Sequence, residues 1–350
     1  MATLPSERPF PSTRYYGSKR RLLGWIQESL SGLRFNSVLD AFGGTASVSL
    51  LFKQQGKKVH YNDLLCFNQF IGTALIENAH TLVTETDLQQ VLTTPLPDPQ
   101  QTIQQLYKGV FYLDEENRWL DDFIQKVFLL GDKYKQAILL AALFQACLSK
   151  RPFNLFHRAN LNLRTRDVKR SFGNKKTWDR PFEELIRKFI REYNRAVYDN
   201  GKENRVVGGY NALDCPNGVD LVYLDPPYFH DHHSTGLNYQ DYYGFLEGIA
   251  NYRDWPELVA HTGRALPKVK ENEGIKDFTS KETISAAMEK LIDRFQDNII
   301  VLSYLDQGIP DPAAIVSLFR KYGKRVKLHR KQHQYALSPQ TRQELLFVAR

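Results

Sequence analysis

Asp220-Leu221-Val222-Tyr223-Leu224-Asp225-Pro226-Pro227-Tyr228 is the stretch on which the reading of this chain turns. Its first five residues are a short apolar run bounded by turn chemistry, which predicts a buried strand. The two prolines that follow fix φ and remove two backbone donors. The chain there is stiff, and its carbonyls are available to a ligand. A carboxylate, a prolyl carbonyl and an aromatic face are then held together just past a strand end. That set suits a planar base bearing an exocyclic amino group: two acceptors for the two N–H groups and a ring to stack on. The plain alternative is a Pro-Pro turn, with Asp225 and Tyr228 merely polar at a surface.

Working outward, three further runs have the same form. Ser37-Val38-Leu39-Asp40 leads into Phe-Gly-Gly-Thr, Lys58-Val59-His60-Tyr61 into Asn-Asp, and Asn298-Ile299-Ile300-Val301-Leu302 into Ser-Tyr. Helical patterns separate the runs, as at residues 46–55 and 64–78. Alternation of strands and helices predicts a parallel sheet covered on both faces. Ligands bind such sheets at the carboxyl ends of the strands, where these polar clusters fall. Residues 81–200 carry little strand signal. They open on a proline-rich turn and then show helical patterns at 117–130, 133–149 and 181–198, which predicts an inserted helical domain. Val326–Leu328 and Glu344–Val348 are expected as closing strands.

Composition narrows the class. Hydrophobic residues make up 42% and charged residues 25%, which excludes a disordered or low-complexity chain. The longest apolar stretch, Ala137–Leu148, is shorter than the roughly 20 residues a bilayer span requires, so it predicts a buried helix and no membrane association. The N-terminus lacks the apolar core of a signal peptide. Cys66, Cys147 and Cys215 are scattered, which suggests neither disulfides nor a metal site and fits a cytoplasmic location. The formal net charge is +8, and residues Lys150–Arg180 alone carry +8, from ten Lys/Arg against Asp167 and Asp179. The rest balances at 37 basic and 37 acidic residues. The segment interleaves its charges with Phe153, Phe156, Phe172 and Trp178 and with several asparagines. This points to Lys150, Arg151, Arg158, Arg164, Arg166, Lys169, Arg170, Lys175 and Lys176 as contacts to nucleic acid. A solvated charged surface is the bland reading.

The remaining motifs are weaker singly. Asp40-Ala41-Phe42-Gly43-Gly44-Thr45 is a glycine turn leading into a helix, where backbone N–H groups can approach a ligand. It lacks the spacing of the dinucleotide fingerprint, which disfavours a nicotinamide enzyme. Asp63, at the next strand end, can accept from the hydroxyls of a ribose, or simply belong to an Asn-Asp turn. Gly208-Gly209-Tyr210-Asn211 is a ligand loop or an ordinary glycine turn. Tyr15-Tyr16-Gly17-Ser18-Lys19 is a flexible basic arm, or a turn whose Lys19 meets a carboxylate or phosphate. His230-Asp231-His232-His233 offers metal-ligand types, but adjacent residues rarely converge on one ion, so no metal is expected and a loop over the target base is the better reading. Cys215 has no evident activating partner.

Together these motifs resemble the D12 class of S-adenosylmethionine-dependent DNA adenine-N6 methyltransferases, which includes the Dam enzymes. The likeness covers about residues 14–63 and 205–350. Its order, with cofactor motifs first, the insert central and Asp-Pro-Pro-Tyr after it, is that of the α group. The resemblance implies an α/β fold: a Rossmann-like methyltransferase sheet, mostly parallel with an antiparallel last strand. Residues 1–80 and 201–350 would form the catalytic S-adenosylmethionine-binding domain, and 81–200 the helical target-recognition insert. It implies that Tyr15, Gly17, Lys19, Asp40, Phe42, Gly44, Thr45, Asp63, Asn211 and Asp225 bind the cofactor. Asp225, Pro226, Pro227 and Tyr228 would hold a flipped adenine of double-stranded DNA for methylation at N6. The implied partner is a separately acting restriction endonuclease, and the free protein would be a monomer. Ala46 and Ser18 stand where the family usually has glycine, and Asn211 where many relatives have an acid. The rival readings are N4-cytosine methylation, whose enzymes more often carry Ser at position 225, an RNA substrate, more often with Asn there, and a non-catalytic DNA-binding protein.

Overall fold

A computed structural model describes residues 9–151, 155–156, 164, 175–227, 239–260, 268–270, 273–334 and 341–350. Seven strands form one sheet: β1 (Ser37–Asp40), β2 (Lys58–Asn62), β3 (Arg205–Gly208), β4 (Leu221–Leu224), β5 (Ile299–Leu305), β6 (Val326–Gln334) and β7 (Thr341–Ala349). Their order is β3-β2-β1-β4-β5-β7-β6. The first five are parallel, and β7 runs antiparallel to both β5 and β6. The expected α/β sheet with an antiparallel last strand is therefore present. The chain leaves β1 toward β2 and returns on its other side as β4, so a crevice opens between the carboxyl ends of β1 and β4.

The central strands are buried on both faces, which is why they read as continuous apolar runs. The two C-terminal strands are longer than expected, at nine residues each. In β6 the residues are mostly polar, because an edge strand is half solvated and its extent is fixed by pairing with β7 rather than by apolar content.

The helices used below are α1 (Leu23–Leu30), α2 (Ser47–Gln54), α3 (Cys66–Gly72), α4 (Asp114–Phe128), α5 (Lys133–Ser149), α6 (Phe182–Ala196), α7 (Tyr239–Ala250), α8 (Glu273–Thr279), α9 (Lys281–Arg294) and α10 (Pro312–Lys321). One sheet face packs against α1, α2 and the central helices in a single apolar cluster. The other packs against α9 and α10. The Ala137–Leu148 stretch forms the middle of α5 and is fully buried, surrounded by other helices. Its apolar composition thus reflects a position inside the protein. Among the described residues no helix is long and apolar enough to cross a membrane. The helices of the 81–200 region share their apolar cluster with Val38 and Leu221 of the sheet.

Candidate active site

An open cavity lies at the carboxyl ends of β1 and β4. It brings together motifs separated by most of the chain. Tyr15, Gly17, Lys19, Asp40, Phe42, Gly44, Thr45, Asp63, Asp225 and Pro227 all line it. Its walls also include residues that no motif flagged: Tyr239 of α7, and Gly274, Ile275, Phe278 and Thr279 of α8. Phe278 meets Phe42 edge-on at 5.2 Å. Nothing in the sequence near α8 marks it as a cavity wall, because its role depends on packing across the sheet.

The loop after β1 owes its shape to Tyr61. That ring is fully buried on β2, wedged between Gly43 and Gly72. Its hydroxyl, with one proton to give, lies 2.7 Å from the Gly44 carbonyl and 3.0 Å from that of Asn68. A side chain at either glycine would collide with the ring. Ala46 takes φ of +58°, the left-handed region where glycine is favoured, and still closes the turn into α2.

Asp63 follows directly. Its Oδ2 accepts from Gly44 N at 2.8 Å and its Oδ1 from Leu65 N at 2.9 Å, so one carboxylate ties the β1 loop to the start of α3. Burial raises its pKa, and these hydrogen bonds oppose the rise. Asp40 ends β1 with Oδ2 accepting from the Ser49 hydroxyl at 2.6 Å. Burial pushes its carboxyl up to about 7, with Asp225 and Asp63 adding to the rise.

Lys19 is buried, and its ammonium stands 3.1 Å from Asp225 Oδ1 and 3.9 Å from Glu344 Oε2. Burial alone would lower its pKa, but the two carboxylates raise it. Glu344 was missed by the sequence reading. Its signal was present: a single acid opening the apolar run Leu345–Ala349. Burial lifts its carboxyl to about 7 against the opposing pull of Lys19. On the opposite wall Tyr15 stacks on Tyr243 at 4.6 Å and on Tyr239 at 5.6 Å. The Tyr243 hydroxyl accepts from Tyr16 N at 2.7 Å, which fixes the N-terminal segment to α7.

Some expected residues are placed elsewhere. Asn211 does not line the cavity: its Nδ2 donates to Asp277 of α8 at 2.6 Å and its Oδ1 accepts from Leu213 N. It thus ties the β3 loop to the α8 wall. Pro226 is buried, between the cavity-lining Asp225 and Pro227. Tyr228 and the His230–His233 cluster lie outside the described residues. Among the described residues no group of His, Cys, Asp and Glu is arranged to hold a metal. Cys215 is buried, and burial pushes its thiol up to about 12, which leaves it unreactive.

The basic segment needs a correction at three positions. Lys150, Arg151 and Arg164 point into the protein instead of toward a ligand. The Glu116 carboxylate of α4 pairs with Lys150 at 2.7 Å and grips the Arg164 guanidinium with both oxygens. Lys150 and Arg151 are nearly inaccessible, and Arg151 lies over the Phe111 ring at 4.5 Å. Buried cations require partners, and a carboxylate and aromatic faces here supply them. Lys176 is exposed, and Lys175 lies in a short helix, Lys175–Trp178. Arg158, Arg166, Lys169 and Arg170 lie outside the described residues.

Comparison with known proteins agrees with this geometry. The model of the D12 class N6 adenine-specific DNA methyltransferases matches residues 15–296, well over half of the chain. Type II methyltransferase M2.HphI of Haemophilus parahaemolyticus is 27% identical over 97% of both chains. Type II methyltransferase M.NlaIII of Neisseria lactamica is 24% identical over 89% of this chain and 88% of its own. Modification methylase StsI of Streptococcus sanguinis is 23% identical over 88% of this chain and 46% of its own length. A strand-end cavity walled by these motifs, in a chain matched from residue 15 to residue 296, makes this protein a member of the D12 class of N6 adenine-specific DNA methyltransferases, acting on DNA at specific sites.

Proposed function

We propose that the cavity binds S-adenosylmethionine and presents it to an adenine extruded from double-stranded DNA. The residues fit that cofactor. Three carboxylates (Asp40, Asp63 and Asp225) and one ammonium (Lys19) line the wall, a balance suited to a ligand that carries an ammonium and a sulfonium against one carboxylate. Asp63 would hold ribose hydroxyls and Phe42 would pack on the purine. When bound, the cofactor supplies a methyl group carried on a cationic sulfur.

Adenine N6 is a weak nucleophile because its lone pair is delocalised into the ring. Asp225 and the Pro226 carbonyl accept its two N–H bonds, which draws the nitrogen toward tetrahedral geometry and localises the pair. Lys19 holds the Asp225 carboxylate in place through Oδ1. Tyr228 stacks on the extruded base. Extrusion from the duplex costs a few kcal/mol of stacking and pairing. Phosphate contacts from Arg158, Arg166, Lys169, Arg170, Lys175 and Lys176 offset it. We further propose a cytoplasmic monomer that works beside a separate restriction endonuclease.

The observation that carries the reading is the Lys19–Asp225 pair at the mouth of the β1/β4 crevice. The Asp225→Ala variant should transfer no labelled methyl group from S-adenosylmethionine to DNA, while duplex binding is largely retained. Full transfer by that variant refutes the assignment. Nucleoside analysis of the product should show N6-methyladenine, and N4-methylcytosine would refute the target base.

A further inference from the structure

The residues outside 150–180 balance in charge only as a total. Residues 320–350 hold nine Lys/Arg and a single acid, Glu344, so this one stretch carries +8, as much as the insert segment. Glu344 is buried beside Lys19, which leaves the surface of the stretch wholly basic.

The fold directs part of that charge to the active-site edge. β6 runs parallel to β5, so its carboxyl end lies on the same edge as the ends of β1 and β4. The last β5–β7 pair is Leu305 with Glu344, but β6 and β7 continue pairing for three more residues, to Gln334 and Thr341. This arm stands past the sheet beside the catalytic cavity. Lys331 is directly opposite Glu344, and His333 is opposite Arg342. Opposed residues share a face, so Lys331 and His333 lie on the side of Leu346 and Val348, where α1 packs. Arg21, in the turn that also carries Lys19, is near enough to His333 for its charge to act on the imidazole. Burial, followed by the charges of Arg21, Lys19 and Lys331, holds the His333 imidazole below its usual range. Arg21 and Lys331 are exposed, and neither has an acidic partner among the described residues.

We infer that the β6–β7 arm, with Arg21, is a second DNA-binding surface that grips phosphates on the side of the catalytic cavity formed by Lys19 and Glu344. The inference rests on the DNA-methylating reading of the cavity and adds where the substrate lies. Phe156 N bonds the Tyr242 carbonyl of α7. Lys331 is one cross-strand step from Glu344, whose partner Lys19 touches Asp225. Drawing one nucleotide out of a duplex requires the backbone to be held around it. Lys331 and Arg21 supply such a hold on the Lys19–Glu344 side of Asp225.

Charged edge strands also serve to block edge-to-edge pairing, and the test must separate the two roles. Arg325 and Lys327 provide the control, being exposed on the same stretch but at the far end of β6. Lys327 is about 13 Å along the strand from Lys331, at roughly 3.3 Å per residue. Binding of a fluorescent double-stranded oligonucleotide is measured between 50 and 200 mM salt for two variants. Arg21→Gln/Lys331→Gln should bind more weakly, with a logarithmic salt slope shallower by about 1.8. Its deficit against the unsubstituted protein should shrink about twelvefold across that range. Arg325→Gln/Lys327→Gln should keep the original slope, and S-adenosylmethionine affinity should be unchanged in both. An unaltered slope for Arg21→Gln/Lys331→Gln overturns the inference, as do equal slope changes in both pairs, which report total charge. Failure of the unsubstituted protein to bind DNA at all overturns the functional reading instead.

Discussion

Replacing Gly43 with alanine should destabilise the protein and cripple the cofactor loop, although the change adds only one methyl group. A Cβ at position 43 would fall 2.1 Å from Tyr61 Cε2. The ring cannot retreat, because a Cβ at Gly72 on its other side would lie only 2.4 Å from Cδ1. Overpacking of this kind costs roughly 1–3 kcal/mol. Displacing the ring also breaks the Tyr61 hydroxyl contact with the Gly44 carbonyl, worth about 1 kcal/mol. The expected loss is about 2–4 kcal/mol in urea denaturation. Because Gly44 N is bound to Asp63, calorimetry should show S-adenosylmethionine affinity falling by about tenfold or more, which corresponds to about 1.4 kcal/mol or above. The decisive control is Tyr61→Leu. Removing the ring makes room, so adding Gly43→Ala to Tyr61→Leu should cost at least 1–2 kcal/mol less than it does alone. A Gly43→Ala variant within about 0.5 kcal/mol of the original, or strictly additive costs, would refute the wedge described here.

The remaining predictions concern charge. Glu344 has a folded-state pKa of about 7, above the ordinary 4.5, so the folded protein holds its proton through that window and loses stability as pH rises across it. Glu344→Gln should remove this decline, on the order of 3 kcal/mol between pH 5 and 8, and an unchanged stability difference between those pH values would contradict it. Glu116→Ala leaves Lys150 and Arg164 buried without their carboxylate and should cost about 3–5 kcal/mol in denaturation, whereas a loss below 1 kcal/mol would show the cluster to be loosely held. Lys169→Gln/Arg170→Gln should weaken duplex binding with a shallower salt slope and leave cofactor affinity intact; an unaltered slope would make that segment an ordinary solvated surface.

Most of what identifies this protein is local in the chain. Asp40, Asp63 and Asp225 each close a short apolar run, and a carboxylate after a parallel strand is delivered to one edge of the sheet whatever else the fold does. The sheet, the crevice and the main cavity residues were therefore legible from the sequence. The roles of charged and wall residues were not. Lys150 and Arg164 look in sequence like surface cations, and only the fold brings the Glu116 carboxylate against them and turns them inward. Asn211 reads as a cavity residue until Asp277 draws it to α8. Lys19 and Glu344, near opposite ends of the chain, become neighbours because β7 inserts beside β5. The same insertion lets the mostly polar β6 continue past the last β5–β7 pair, at the sheet edge where β1 and β4 end. A side chain's charge is written in the sequence, but whether it meets water, a buried carboxylate or a ligand depends on partners that only the tertiary fold brings within a few ångströms.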